Sequence, residues 1–92
     1  MRPVVWSRRS VRNLASIREY IRQFNPEAAN STAKRILESV RVISEHPQIG
    51  RAGRDSRTRE FPVPGTPYLI VYMLQDITLE IAAVLHGAQI IK

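Results

Sequence analysis

Two apolar stripes with helical spacing meet at Asn25 and Pro26, and this junction constrains the fold more than any other feature of the sequence. The first stripe consists of Leu14, Ile17, Ile21 and Phe24, and the second of Ala29, Ala33, Ile36, Val40 and Ile43. Steps of three and four residues place each set on one face of a helix. Asparagine is a good N-cap, and proline suits the first helical position because its missing N–H has no intrahelical partner there. The pattern predicts a helical hairpin that ends near His46, because Pro47 disfavours helical geometry in the residue before it.

Short β-type runs lie before and after the predicted hairpin. These runs are residues 3–6, 58–63, 68–74 and 78–85. The third run is apolar on both faces, which is typical of a central strand. Alternation along the last run predicts Leu79 and Ile81 on one face and Val84 on the other. Because residues 75–77 leave room for little more than a hairpin turn, the last two strands should be antiparallel.

The order of elements predicts an α+β fold of βααβββ topology. The helical hairpin should pack on one face of a small, largely antiparallel sheet, and the other face should stay partly open to a partner. Residues 47–56 carry two glycines and no apolar period, so we expect a loop there. The residues expected to be mostly buried are Ile21, Phe24, Ile36, Val40, Val71 and Ile81.

Composition indicates a single domain over residues 1–92, with no metal or cofactor. Hydrophobic residues fill 43% of the 92 positions, which is enough for one core and too few for two. The sequence has no cysteine and just two histidines, His46 and His86, so a disulfide framework is ruled out and a zinc site is poorly supported. The longest apolar run is far shorter than the roughly 20 residues of a membrane span, and the N-terminal residues lack a signal-peptide core. We therefore expect a cytoplasmic protein.

The charge balance points to an anionic partner. Fourteen basic residues against eight acidic ones give a net charge of +6, and twelve of the fourteen are arginine. Arginine donates bidentate hydrogen bonds to carboxylates and phosphates, and it tolerates burial in interfaces better than lysine. Nucleic acid and an acidic protein segment both fit this composition, so direct binding of nucleic acid stays open.

Seven side chains in the second half of the chain are candidates for a binding surface. They are Arg51, Arg54, Arg57, Arg59, Tyr68, Tyr72 and His86. The four arginines lie within nine residues, and they form either an anion-facing patch or a solvated loop with local ion pairs to Asp55 and Glu60. The histidine is the one member of the set that titrates near neutral pH without help. It is a candidate acid or base, and the alternative is a residue tied to a strand end or facing a partner.

Six short motifs follow one another along nearly the whole chain. They are residues 13–21 against D-L-x-x-I-x-x-Y-I, 25–29 against N-P-x-A-A, 47–54 against P-x-x-G-R-x-G-R, 58–60 against T-R-E, 67–72 against P-Y-x-I-V-Y, and 84–88 against V-L-H-G-A. In this order they resemble the ParE toxins of bacterial type II toxin–antitoxin modules, within the RelE/ParE superfamily. The chain differs from the family pattern at Asn13, where Asp is common, at Gln89, where Arg is common, and in residues 90–92, where the family often has an aromatic residue.

The resemblance implies a toxin that acts by binding. ParE toxins poison DNA gyrase, so that replication stalls and DNA breaks accumulate. A cognate ParD-like antitoxin binds the toxin in a hetero-oligomer and silences it, through a C-terminal segment that folds on the toxin. On this interpretation no residue is catalytic, no cofactor or metal is needed, and the seven side chains named above contact the antitoxin or the target.

A second interpretation within the same superfamily is a ribosome-dependent mRNA endonuclease of the RelE type. Such an enzyme needs a base for the 2′-hydroxyl, an acid for the leaving oxygen and cations for the charge on phosphorus. The last strand carries no arginine, and Lys92 is the one lysine near the C-terminus. This composition favours the binding interpretation. A third possibility is a non-toxic binding module that is retained for its antitoxin complex.

Overall fold

The computed structural model describes residues 2–87, which form two helices and five strands. In chain order the elements are β1 (Val4–Trp6), α1 (Arg8–Arg22), α2 (Pro26–Glu45), β2 (Arg51–Ala52), β3 (Arg59–Pro62), β4 (Tyr68–Leu74) and β5 (Leu79–His86). The predicted α+β class and element order are confirmed. One strand was not predicted, because β2 is two residues long and lies within the glycine-containing stretch expected to be a loop. Gln89 and residues 90–92 lie outside the described residues.

All five strands form one sheet in the order β1-β5-β4-β3-β2. β1 runs parallel to β5, and every other neighbouring pair is antiparallel. A parallel pair needs a long crossover, and the helical hairpin that separates β1 from the later strands supplies it. The prediction of a largely antiparallel sheet with the hairpin packed against it is confirmed.

Local capping explains where both helices begin. The Ser7 side chain accepts a hydrogen bond from the N–H of Ser10 at 3.0 Å and caps α1. The Asn25 side chain accepts from the N–H of Ala28 at 3.1 Å, and Pro26 occupies the first turn of α2. Each cap satisfies a backbone donor that has no intrahelical partner. The Asn–Pro junction therefore forms the turn that its sequence predicts.

The core lies between the second helix and the centre of the sheet. Its buried members are Ile36, Val40, Ile43, Val63, Ile70, Tyr72, Leu79, Ile81 and Val84. The predicted burial is confirmed for three of these, Ile36, Val40 and Ile81, whereas Ile21 and Val71 are half-buried.

The prediction for Phe24 is wrong, since its side chain is 73% exposed. The helix ends at Arg22, so Phe24 falls in the turn, beyond the point where the helical stripe faces the sheet. Its ring packs instead on Tyr20, edge to face, with 5.3 Å between the ring centroids.

A β-bulge in β5 breaks the alternation that the sequence predicts. Val71 pairs with Ala83 and Tyr72 pairs with Ile81, which leaves Ala82 without a partner on β4. The extra residue shifts the phase of the strand. As a result Val84 is buried in the same core cluster as Leu79 and Ile81, and its predicted placement on the opposite face is wrong.

Candidate functional site

Tyr72 lies in the core and holds the loop that precedes β2. Its hydroxyl donates a hydrogen bond to the carbonyl of Pro47 at 2.8 Å and accepts one from the N–H of Gly50 at 2.9 Å. The side chain is fully buried, and this burial raises the pKa of the phenol, against smaller opposite effects of Gly50 and Arg59. A partner cannot touch Tyr72 in this conformation. In this conformation Tyr72 supports the loop, and its predicted contact with a partner stays a prediction.

Arg59 holds the same loop from the neighbouring strand. Its Nη1 donates to the carbonyl of Gly50 at 2.7 Å, and its Nη2 donates to Oε1 of Gln48 at 2.6 Å. Arg59 is paired with Tyr72 across β3 and β4, so both side chains reach the loop from adjacent positions. Three of the guanidinium donors are thereby directed inward, at the loop rather than at a partner.

The remaining three arginines of the predicted patch are exposed. The Arg51 Nε lies 3.5 Å from Oε1 of Glu60, its partner across β2 and β3, and the Glu60 carboxylate is nearly buried. Arg57 pairs with Asp55 at 2.9 Å, and hydrogen bonds from the Arg57 side chain and backbone lower the pKa of Asp55 to about 2. Arg54 has no carboxylate partner within residues 2–87. Surface pairs of this kind contribute little to stability and leave the guanidinium groups accessible to an acidic partner.

Tyr68 and His86 meet where β4 begins and β5 ends. They are paired across the two strands, and their rings pack edge to face with centroids 5.6 Å apart. Together with Ile17 and Tyr20 of α1 they line a groove of about 520 Å³. Burial, together with the neighbouring Tyr20, raises the pKa of Tyr68, so this phenol is protonated at neutral pH. The groove offers aromatic surface and hydrogen-bonding groups.

A second cleft joins Arg51 to this aromatic groove. Arg51 and Tyr68 both line a depression of about 330 Å³ beside Pro62 and Leu69. The structure thus brings together Arg51, Tyr68 and His86 in adjoining depressions, while Arg59 and Tyr72 face the loop. The aromatic residue that sequence reasoning missed is Tyr20, which is 64% exposed. The sequence feature that could have indicated Tyr20 is an aromatic residue next to the apolar stripe of α1.

The described residues contain no group of three His, Asp or Glu side chains that could hold a metal ion. Within the same part of the chain, neither helix combines the length and apolarity that crossing a membrane requires. The chemistry available in the adjoining depressions is therefore that of guanidinium groups, phenols, an imidazole and backbone amides. Such surfaces bind carboxylates and apolar side chains.

Comparison with known proteins agrees with this architecture. The family described as "ParE toxin of type II toxin-antitoxin system, parDE" matches residues 4–91. A Sinorhizobium fredii protein named "Putative toxin Y4kP" is 37% identical over 84 residues, 91% of this chain and 86% of its own length. "Toxin RelE2" of Caulobacter vibrioides is 34% identical over 90 residues, 98% of this chain and 100% of its own length.

A solved structure confirms the fold independently. It is entitled "Chromosomal ParDE TA system from P. aeruginosa" and superposes with a TM-score of 0.87, covering 94% of this chain and 96% of the other at 18% identity. At that identity the likeness concerns the fold alone. The family match over nearly the whole chain, together with the two relatives, shows that this chain belongs to the ParE toxin family of type II toxin–antitoxin systems.

Proposed function

We propose that this toxin inhibits DNA gyrase by binding and that a ParD-like antitoxin neutralises it in a cytoplasmic hetero-oligomer. The observation that carries the proposal is the match to the ParE family over residues 4–91. The solved ParDE structure supports the same assignment through its fold. Membership of this family suggests gyrase as the target. It suggests an antitoxin as the partner, because a toxin–antitoxin system pairs the toxin with an antitoxin.

The adjoining depressions and the exposed arginines of residues 51–57 supply the contact surface in this proposal. Arg51, Arg54 and Arg57 present exposed guanidinium groups, and Tyr68 and His86 present aromatic surface in the neighbouring groove. An acidic, partly apolar segment is complementary to this combination, because carboxylates pair with guanidinium groups and apolar side chains pack on the rings. Arg59 and Tyr72 support the surface from within, by holding the loop of residues 47–50.

The two tyrosines of the predicted set do not offer a base at neutral pH. Burial raises the pKa of both Tyr68 and Tyr72, which moves each phenol away from the ionised form that would serve as a base at neutral pH. The Tyr72 hydroxyl is also held by two hydrogen bonds to the loop. His86 carries an imidazole, the side-chain type that most often performs general acid–base catalysis.

The second candidate function is ribosome-dependent cleavage of messenger RNA. It is favoured by one specific observation, the 34% identity to a protein named "Toxin RelE2" over 98% of this chain. In such an enzyme His86 would move a proton, and the nearby arginines would neutralise the charge that develops on phosphorus.

Two assays on the same purified protein separate these functions. The first measures supercoiling of relaxed plasmid by DNA gyrase, and the second measures messenger RNA cleavage on translating ribosomes. We expect inhibition of supercoiling, relief of that inhibition by the antitoxin, and no RNA product. Ribosome-dependent cleavage with gyrase unaffected would replace the first proposal by the second.

A further inference from the structure

The first helix carries an excess of positive charge on its exposed side. Five of its 15 residues are arginine and one is acidic, and that residue, Glu19, pairs with Arg22 at 2.9 Å. Arg9 and Arg12 are exposed, and they make no ion pair within residues 2–87. The first turn contains no acidic residue. Because a basic residue in the first turn, such as Arg9, opposes the helix macrodipole, helix stability does not explain this charge.

Helical spacing aligns two of these arginines with the aromatic groove described above. Three of the residues with which α1 lines that groove are Asn13, Ser16 and Tyr20. Arg9 lies four positions before Asn13, and Arg12 lies four positions before Ser16, so each arginine is one turn from a lining residue on the same side of the helix. Arg9 and Tyr20 are separated by about 16 Å along the helix axis. We call the two arginines together with the groove the α1 track.

Four aromatic rings stand in and beside the groove. Tyr20 packs edge to face on Phe24, and Tyr68 packs edge to face on His86, with 5.3 Å and 5.6 Å between the ring centroids. Tyr20, Tyr68 and His86 line the groove, and both Tyr20 and Phe24 are mostly exposed. Exposed rings of this kind offer faces on which another planar group can stack. An unpaired nucleobase gains from such stacking whatever its identity, since every base has a π-face.

A single strand of nucleic acid fits this combination better than other anionic partners do. In a duplex the bases stack on one another, so they are not available to the rings of the groove. An acidic peptide would pair with the arginines, but its carboxylates would not stack on the rings of Tyr20 and Tyr68. The groove volume of about 520 Å³ lies within the range of pockets that hold small molecules, which leaves room for a base.

We propose that single-stranded DNA binds along the α1 track. Its phosphates pair with Arg9 and Arg12, and its bases stack in the groove on Tyr20 and Tyr68. The length of about 16 Å corresponds to about five stacked nucleotides at about 3.4 Å each. The choice of DNA over RNA rests on the proposed function, because gyrase acts on DNA. The toxin thereby contacts the DNA on which its target works, in addition to the target itself.

Fluorescence anisotropy of the purified toxin with a labelled strand of about twelve deoxynucleotides tests the proposal. A duplex of the same sequence is titrated in parallel. We expect the single strand to bind about tenfold or more tightly than the duplex, because only its bases are free to stack on the rings. Equal affinity for both would show that net charge, rather than the aromatic groove, holds the DNA, and would overturn the proposal.

The variant Arg9→Gln/Arg12→Gln tests the phosphate contacts. Its control is Lys34→Gln/Arg35→Gln, which removes the same charge from exposed positions of α2. Each lost phosphate contact reduces the slope of log affinity against log salt by about 0.7 for a single strand, so the α1 variant should lose about 1.4 from its slope. The control should keep the slope of the unmodified toxin. Equal slopes in the two variants would overturn the assignment of Arg9 and Arg12.

The stacking contact is tested at Tyr20. We expect Tyr20→Ala to weaken binding of the single strand by about tenfold, and Tyr20→Phe, which keeps the ring, to bind like the unmodified toxin. The control Val11→Ala removes an exposed apolar side chain nine positions away, on the opposite side of α1, and should have little effect. Unchanged affinity in Tyr20→Ala would overturn the proposal. Thermal unfolding of each variant identifies any loss of binding that comes from misfolding.

Two further measurements separate this inference from the proposed function. A single strand of RNA with the same sequence should bind no more tightly than the DNA, and a clear preference for RNA would overturn the choice of DNA. If the unmodified toxin inhibits gyrase supercoiling but does not bind the DNA strand, the inference is overturned while the proposed function stands. If the toxin binds the DNA strand and leaves gyrase active, the proposed function fails while the site along α1 stands.

Discussion

Asn13 of α1 accepts a hydrogen bond on its side-chain oxygen from the backbone N–H of Val84, at 3.0 Å, across 71 positions of sequence. The contact lies at the β-bulge of β5, where Ala82 has no partner on β4 and its carbonyl accepts instead from the Ser7 hydroxyl at 2.8 Å. The helix thus satisfies two backbone groups near the bulge. The oxygen of an Asp side chain, common at this position among the ParE toxins that the sequence resembles, could accept the same bond.

Removal of this acceptor should destabilise the domain. Asn13→Ala leaves the N–H of Val84 without its partner, and we expect a loss of about 1–3 kcal/mol in the free energy of unfolding. Urea titration followed by circular dichroism measures this loss. Asn13→Asp keeps the acceptor and should lose less, and Ser16→Ala, at an exposed position of α1, is the control. An Asn13→Ala protein as stable as the control would show that water satisfies the Val84 amide equally well.

The second prediction concerns the core. Ile36 is fully buried, whereas its neighbour Leu37 is 51% exposed. Ile36→Ala should lower the free energy of unfolding by about 2–5 kcal/mol, because it removes apolar contacts and leaves a cavity. Leu37→Ala should lower it by about 0.5 kcal/mol or less. The same urea titration compares the two, and similar losses for both variants would contradict the assignment of the α2 stripe to the core.

The third prediction concerns the loop held by Tyr72. Tyr72→Phe removes the bonds to Pro47 and Gly50 but keeps the ring in the core, so we expect a loss of about 1–3 kcal/mol in the free energy of unfolding. Hydrogen exchange of the Gly50 amide should also become faster. Tyr20→Phe, which removes an exposed hydroxyl, is the matched control. Unchanged exchange at Gly50 would mean that Arg59 alone holds the loop.

The fourth prediction concerns the pH dependence of the Asp55–Arg57 pair. Hydrogen bonds from Arg57 lower the pKa of Asp55 from 3.8 to about 2. The folded pKa is below the unfolded value, so any stability from this pair is present above pH 3.8 and is lost as the pH falls through about 2. The midpoint can be followed by carbon NMR of the Asp55 carboxyl.

Substitution of Arg57 tests whether its hydrogen bonds cause the lowered pKa of Asp55. Arg57→Gln should move the Asp55 midpoint up towards 3.8, although the backbone N–H of residue 57 can still donate to the carboxylate. Arg54→Gln removes a neighbouring guanidinium that has no ion pair among the described residues, and it should leave the midpoint nearly unchanged. Equal shifts in both variants would indicate a general effect of positive charge rather than the hydrogen bonds from Arg57.

Those parts of the fold that depend on local chemistry could be predicted from the sequence. The Asn25–Pro26 turn, the helical stripes and the short turn before β5 each follow from residues close together in the chain. The exposure of Phe24 could not, because the stripe keeps its period up to residue 24 while the helix ends at Arg22. The bulge at Ala82 depends on how β5 pairs with β4, and the sequence of either strand alone does not show it.

The candidate site was only partly predictable for the same reason. The cluster of arginines is visible in the sequence, but the direction of each guanidinium depends on partners elsewhere in the fold. Arg59 reaches Gln48 and Gly50, which lie 11 and 9 positions earlier, and Tyr72 reaches Pro47, 25 positions earlier.

The last prediction distinguishes binding from catalysis at His86. The side chain is exposed at the end of β5 and packs edge to face on Tyr68, so His86→Ala should disturb the fold little. If the toxin acts by binding, loss of one contact should weaken inhibition of gyrase supercoiling by about tenfold at most. If His86 serves as acid or base in messenger RNA cleavage, the same change should slow cleavage on ribosomes by about 10²–10⁴-fold.

His86→Gln, which keeps hydrogen-bonding capacity but cannot titrate near neutral pH, should restore most of a binding contribution and none of a catalytic one. Ribosome-dependent cleavage that both variants abolish would establish the endonuclease function in place of gyrase inhibition.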